Sequence, residues 1–387
     1  MDLKHVAVVY RLDRPGGVQS VAFALIRGLN RRGIVPTILW DVPPNPSLLQ
    51  RQQCQAKFEK VRFPVPTLWI DRLPNTLRYL TWIFNTISYE GMERKYRFAF
   101  LFHNGFLVPT GMPHVRYLSG PPLLPQLEQS GRGLRGLPMR LFRAGYQHVL
   151  SKRWPAYEYH RQDCYVINSR YTAGLFYQAH GVELPVVYPP INLEEWHFDP
   201  GDWSQRDCVT FFSRIVDYKR PNWIFRLAKV YPQWHYLIMG GVPPHRIPYL
   251  RSLQAQAERM GIAHRVSFLP NPSYAEVKEA LARTRFYVFP AVNEHFGMTT
   301  VEAIAMGAIP FVHDSGGQRE IVPLDWLRFS DETFLERFDG ITLMSRDELE
   351  CVRQGIRSHI NQFSETIAVG KLLEFMDRSE EAAWVEN

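Results

Sequence analysis

The 387-residue chain has no D-x-D triplet and no G-x-x-x-x-G-K-[ST] run. The first absence removes the clustered carboxylates that commonly hold Mg²⁺ or Mn²⁺ beside a phosphate. The second removes the phosphate-cradling loop of P-loop nucleotide hydrolases. Cysteine is scarce: Cys54, Cys164, Cys208 and Cys351 lie far apart, without C-x-x-C or Cys/His ligand spacing. That argues against a disulfide framework and a zinc site, and suits a reducing cytoplasm. No apolar run approaches the roughly 18 residues that span a bilayer, and Val6 to Tyr10 is too short for the core of a signal peptide. Between Gln129 and Tyr157 acidic residues are missing altogether, while Arg132, Arg135, Arg140, Arg143, Lys152 and Arg153 alternate with apolar side chains. This stretch, Arg132 to Arg153, reads either as a peripheral surface for anionic membrane headgroups or as a solvated helix face. Its glycines, Gly131, Gly133 and Gly136, satisfy G-x-G-x-x-G, but no strand precedes them and no acidic residue follows about 20 positions on, which disfavours an NAD-dependent enzyme.

What remains is an ordinary globular composition, 45% hydrophobic and 21% charged, with a net charge of +7 that permits an anionic partner. The length exceeds what one core usually supports, so two domains are expected, bounded as 1–188, 189–363, a C-terminal helix over 364–377 and a tail over 378–387. Val6 to Tyr10, a turn at Asp13 to Gly17, apolar positions Val18, Val21, Ala22, Leu25 and Leu29, and a second apolar run from Ile34 to Trp40 make a strand–helix–strand unit. Further strands are expected at Phe98 to Phe102, Val115 to Leu118, Cys164 to Ile167 and Val186 to Tyr188, giving an open, mostly parallel sheet. The 42–75 region gives no clear pattern. After a proline-rich connection from Leu184 to Trp203, strands and helices alternate again from Val209 to Val312, so the second half is also α/β.

The second half carries most of the chemistry-bearing residues. In V-N-E-H-F-G-M-T-T-V-E, Glu294 falls in the turn after the apolar run Phe286 to Pro290, and Glu302 lies about one turn into a helix over Thr299 to Met306. Gly297 lets backbone approach a ligand, and the N–H groups of Met298, Thr299 and Thr300 are expected as the unpaired donors of a helix N-terminus, an anion site. Ionised glutamates on either side could each accept hydroxyl hydrogen bonds from a sugar. Arg214 and Lys219 follow the first strand of this half, where ligands of parallel sheets bind, and suit a diphosphate; an exposed pair of charges is the plainer alternative. Gly16 and Gly17 follow the first strand of the chain. His103 and Asn104 end the Phe98 strand, where a ligand contact and a structural histidine are both open.

These residues resemble the E-x7-E signature of retaining glycosyltransferases of the GT-B fold, glycosyltransferase family 4, and the matches run from about Val6 to the C-terminal helix. The resemblance implies two Rossmann-like domains with a cleft between them, the acceptor bound by the first and a nucleoside diphosphate sugar by the second. It implies that Glu294, Phe296, Gly297, Met298 and Thr299 meet the donor sugar and diphosphate, that Glu302 binds the ribose, and that Arg214 and Lys219 stabilise the leaving diphosphate. Gly16 and Gly17 resemble the family's N-terminal glycine loop, Leu269, Pro270 and Asn271 its nucleobase pocket, and Gly316, Gly317 and Glu320 a following turn of structural weight. Tyr117 to Pro122 resembles a segment that often carries a histidine where this chain has Ser119, so that histidine's role does not transfer. Glu294, His295, Phe296 and Gly297, with the later G-A-I-P-F-V-H-D-S-G-G run, resemble mannosyltransferases that use GDP-mannose, which favours GDP-mannose over a UDP-hexose. His295, with His103, Asn104 and Ser119, is the candidate sugar or acceptor contact.

The implied reaction is metal-independent, retaining transfer of a hexose from a nucleotide-sugar donor, GDP or UDP, to a glycan, polysaccharide or lipid-linked acceptor. No cofactor, metal or nucleic-acid partner is expected, and the expected place is the cytoplasm, including its membrane face. A sugar-nucleotide epimerase of the same fold, separated by isomerised donor instead of a new glycoside, and a non-catalytic carbohydrate-binding protein, separated by the absence of donor turnover, are the competing readings.

Overall fold

The computed structural model describes residues 6–9, 12, 16–40, 43–45, 47, 50, 52–60, 95–102, 114–120, 165–196 and 206–385. His103, Asn104 and Arg132 to Arg153 lie outside them. The chain divides into two units, Met1–Pro190 with Glu365–Asn387, and Ile191–Ser364.

In the first unit the strands are β1 (Val6–Val9), β2 (Thr37–Trp40), β3 (Lys57–Lys60), β4 (Phe98–Leu101), β5 (His114–Leu118) and β6 (Tyr165–Ile167). They form one sheet in the order β3-β2-β1-β4-β5-β6, with every pair parallel. The order reverses beside β1, which is the doubly wound arrangement. All five residues of β5 are buried, as expected of a strand covered on both faces. Edge strand β3 supplies what the 42–75 region concealed: its K-F-E-K sequence is mostly exposed and lacks an apolar run. The expected strand at Val186 to Tyr188 is only a bridge from Val186 to Ile167.

Helix α1 (Gly17–Arg31) follows β1, and α2 (Arg170–His180) follows β6. Ser169 caps α2 by accepting the Thr172 N–H at 3.0 Å, and Gly181 ends it in the left-handed region. The long C-terminal helix, α10 (Glu365–Val385), returns to this unit and buries Ala368, Val369, Leu372, Leu373 and Met376 in the same core as Val21, Leu25, Phe98 and Phe100. The helix runs through Glu380 and Glu381, so the separate tail expected over 378–387 is corrected: Glu380 to Ala383 are strong helix formers and extend it. At its start the buried Glu365 carboxylate receives Arg27 Nη2 at 2.5 Å and Arg31 Nη2 at 2.9 Å. Glu365→Ala leaves Arg27 largely buried without its acid, so a loss of about 2–4 kcal/mol in urea-unfolding stability is expected; an unchanged midpoint would contradict it.

The second unit repeats the plan with β7 (Cys208–Phe212), β8 (His235–Gly240), β9 (Val266–Pro270), β10 (Thr284–Phe289), β11 (Ile309–His313) and β12 (Arg328–Phe329). Their order is β12-β11-β10-β7-β8-β9, again all parallel. The helices are α3 (Ile224–Val230), α4 (Ile247–Arg259), α5 (Tyr274–Arg283), α6 (Met298–Ala305), α7 (Gln318–Ile321), α8 (Phe334–Thr342) and α9 (Arg346–His359). The fully buried Phe211, Phe286, Phe289 and Phe311 fill the sheet's interior. Among the described residues no helix is long and apolar enough to cross a membrane.

Candidate donor-sugar site

Parallel strands deliver their following loops to one edge of the sheet, and three such loops of the second unit meet there. After β7, Arg214 lies exposed and Lys219 ends a 3₁₀ turn, Asp217–Lys219. After β10 comes Asn293, in the left-handed region at φ 55°, followed by Glu294. After β11 come Ser315, Gly316 and Gly317. The Lys219 ammonium donates to a Glu294 carboxylate oxygen, and the two side chains are only 11% and 17% exposed. Lys219 also stands 5.5 Å over the rings of Tyr218 and Phe289. The structure therefore joins two residues that lie 75 positions apart and were expected to meet different parts of one ligand. Arg214 lies 5.8 Å over Tyr218 and has no carboxylate partner among the described residues.

Gly297 precedes α6 at φ 111° and ψ 58°, a conformation open to glycine. The Met298 and Thr299 N–H groups have no acceptor among the described residues, as a helix start requires. Thr300 differs from expectation: its N–H donates to Gly297 O at 2.9 Å and its hydroxyl to Gln318 Oε1 at 2.9 Å, because the first turn tightens toward 3₁₀ geometry. Two donors of the expected three thus remain for an anion. Phe296 is buried against Phe363 at 5.2 Å between ring centres, so it supports the loop from behind.

Glu302, half-buried on α6, has its carboxyl pushed up to about 8, first by burial and then by the charge of Glu195. At neutral pH it carries a proton, so it offers one O–H donor and one acceptor. Folding retains that proton while the unfolded glutamate ionises near 4.5, so stability falls as pH rises from about 4.5 to 8 and is constant above. Glu302→Gln is therefore expected to raise unfolding stability at pH 8.5, by up to about 4–5 kcal/mol, and to have little effect at pH 4.5. Equal effects at both pH values would contradict it. His295 is held below the usual imidazole range by burial and by Lys219, against the pull of Glu294.

The Gly316–Gly317 turn braces this loop. Gly316 sits at φ 68°, and a Cβ there would lie 2.3 Å from Glu294 O and 2.7 Å from Glu294 N. The Gly317 N–H donates to Glu294 O at 2.7 Å. The turn is thus structural and shapes the site. Asn271 (φ 51°) accepts the Val242 N–H at 2.7 Å and donates its own N–H to Gly240 O, clamping two loops at the β8–β9 edge, with Leu269 and Pro270 at the end of β9. In the first unit, Gly16 and Gly17 are exposed at the start of α1, while Ser119 O accepts Asn168 Nδ2 at 3.0 Å just after β5.

Several neighbours escaped the sequence pattern. Tyr287 is fully buried and its hydroxyl joins Phe212 O (3.2 Å) and Thr299 Oγ1 (2.8 Å), tying β7, β10 and α6 together. Arg220, next to Lys219, ion-pairs with Asp331 at 2.7 Å, and Asp331 pairs with His313 at 3.2 Å. No local spacing signals these, because the partners come from segments far apart in sequence.

Residues 193–324 match the family model described as glycosyl transferases group 1. That span contains every second-unit site residue named above except Asp331 and Phe363. A D-inositol 3-phosphate glycosyltransferase of Mycobacterium sp. (strain JLS) is 28% identical over 158 residues, 38% of this chain and 36% of the relative. The GDP-Man:Man(3)GlcNAc(2)-PP-Dol alpha-1,2-mannosyltransferase of Mus musculus is 31% identical over 127 residues, 31% of this chain and 25% of the relative. The matched segments thus span little more than a third of these relatives, or less. Anabaena Alr3699/HepE, solved with UDP and glucose, aligns over 97% of this chain and 99% of its own at 15% identity and a TM-score of 0.69. The sucrose-phosphate synthase of Thermosynechococcus elongatus aligns over 98% and 100% at 12% identity and a TM-score of 0.73. These likenesses show the fold, two Rossmann-like α/β domains of the GT-B type.

Proposed function

We propose that the protein is a glycosyltransferase that transfers a hexose from a nucleoside diphosphate sugar with retention of configuration, without a metal ion. The observation that carries this reading is the Lys219–Glu294 contact beside the Gly297-led start of α6, which sets a cation, a carboxylate and two open N–H donors at one sheet edge. Lys219, Arg214 and the Met298 and Thr299 amides hold the diphosphate and stabilise the charge that develops as it leaves, which is electrostatic catalysis. Glu294, released from Lys219 when the diphosphate binds that cation, accepts hydroxyls of the donor hexose. Glu302, its carboxyl raised to about 8, matches the donor and acceptor pair of a ribose diol. The departing phosphate oxygen takes the acceptor's proton, so no side-chain base is needed.

GDP-mannose is the first donor to test: the Glu294 to Gly297 sequence and the mannosyltransferase relative favour it, while the HepE complex keeps a UDP-hexose in view. The acceptor is a glycan, a polysaccharide or a lipid-linked sugar. A thermal-shift screen of UDP-, GDP-, ADP- and dTDP-sugars tests the donor class, since a ligand of the native state at about 100 times its Kd adds roughly 2.7 kcal/mol of stability. A shift with one nucleotide family, followed by a new glycoside in the product mixture, supports the reading. Isomerised donor without glycoside would instead identify an epimerase, and no shift with any sugar nucleotide would refute donor binding.

A further inference from the structure

A chain of hydrogen bonds that none of the donor-site roles uses runs behind Glu294. Asn293, held at φ 55°, donates its N–H to Ser315 Oγ at 2.8 Å. Ser315 Oγ lies 2.8 Å from His313 Nδ1, and His313 Nε2 lies 3.2 Å from Asp331 Oδ1. The other Asp331 oxygen receives Arg220 Nη2 at 2.7 Å, and Arg220 Nη1 reaches Pro290 O at 3.3 Å. Arg220 is itself fixed in the left-handed region beside Lys219 and stacks 3.8 Å over Trp223.

A neutral His313 protonated on Nε2 satisfies every link. Asp331 accepts from Nε2–H, which leaves Nδ1 bare to accept the Ser315 O–H, which leaves the Ser315 lone pairs for the Asn293 N–H. Burial holds His313 below the usual imidazole range, and Arg220 lowers it further while Asp331 and Asp314 raise it. That direction favours the neutral imidazole, and the Asp331 carboxylate beside Nε2 favours the proton there. The serine, histidine and aspartate are those of a hydrolytic triad, but both sides of the Ser315 hydroxyl are engaged, so here they hold backbone.

We propose that Asp331, His313 and Ser315 are positioning residues that fix the Asn293–Glu294 backbone, and through Arg220 tie it to the Lys219 loop, so that Glu294 meets the donor hexose in a reactive orientation. Nucleotide binding rests on Lys219, Arg214 and α6, so the relay acts on the rate step more than on donor affinity.

The test compares Ser315→Ala, Ser315→Thr and His313→Ala with the wild type by amide exchange at Asn293 and by donor kinetics. Ser315→Ala and His313→Ala should speed exchange at Asn293 by about tenfold or more. Both should lower kcat by about tenfold to 10² with donor KM within about threefold, and Ser315→Thr, which keeps the hydroxyl, should restore both readouts. Unchanged exchange in Ser315→Ala, faster exchange with unchanged kcat, or failure of Ser315→Thr to restore them overturns the proposal. It rests on the donor-site reading, and the two fail separately. A wild type that turns over no nucleotide sugar refutes both, whereas an active wild type matched by Ser315→Ala refutes the relay alone.

Discussion

Lys219→Ala and Glu294→Ala are each expected to lower donor turnover by about 10²–10³, the cost of removing one preorganised group that meets developing charge or orients the reacting sugar. Stability separates this loss from simple unfolding. The two side chains are in direct contact and mostly buried. Removing either leaves the other's charge partly desolvated, so each single variant should lose about 1–3 kcal/mol. The double variant should lose less than the two losses summed, because it removes both charges, while remaining inactive. Denaturant titration of the three variants, with activity measured well below their melting points, checks both statements. Strict additivity of stability would mean that the pair is not formed in solution. Turnover near the wild-type level in either single variant would mean that the pair is not the donor site.

The second large effect is expected at Gly316, which contacts no ligand in the reading above. Gly316→Ala places a Cβ 2.3 Å from Glu294 O and 2.7 Å from Glu294 N at a backbone φ of 68°. Both obstacles are main chain, so no side-chain rotation relieves them, and the left-handed conformation adds about 1 kcal/mol of its own for a residue with a Cβ. The Glu294 loop must move. Turnover should fall by about 10² or more together with a stability loss of about 2–4 kcal/mol. Alanine at Gly340, where an added Cβ meets nothing within 4 Å, is the control and should leave turnover unchanged. Wild-type turnover in Gly316→Ala would contradict the close bracing of the Glu294 loop.

Much of this architecture is legible in the residues. Apolar runs such as Phe286 to Phe289 and Val209 to Phe212 mark central strands, because a parallel sheet buries both faces and needs no alternation. The strand-to-helix corner at Gly297 is legible because glycine there and the apolar helix after it fit one geometry. The less apolar elements are harder to read. Strand β3 hides in K-F-E-K because an edge strand faces solvent. Helix α9 follows Ser345, whose side chain and Glu348 form a capping box, an S-x-x-E signal present in the sequence but set before a helix of low overall hydrophobicity.

The site divides in the same way. Glu294, Glu302, Arg214 and Lys219 announce themselves by residue type and position relative to strands. That Lys219 touches Glu294, that Thr300 uses its own N–H within the helix turn, and that Asp331, His313 and Ser315 stand behind Asn293 depend on contacts between loops far apart in sequence. The protonated state of Glu302 likewise follows from burial and from Glu195, about a hundred residues upstream. No spacing rule encodes such pairings.

Calorimetric titration of GDP- and UDP-hexoses into the wild-type protein and Lys219→Ala tests the donor site most directly. The expected result is saturable binding of one nucleotide sugar to the wild type, weakened at least about tenfold, or roughly 1.4 kcal/mol, in Lys219→Ala. Equal affinity in the two proteins, or no heat with any nucleotide sugar, would contradict the assignment of the Lys219–Glu294 edge as the donor site.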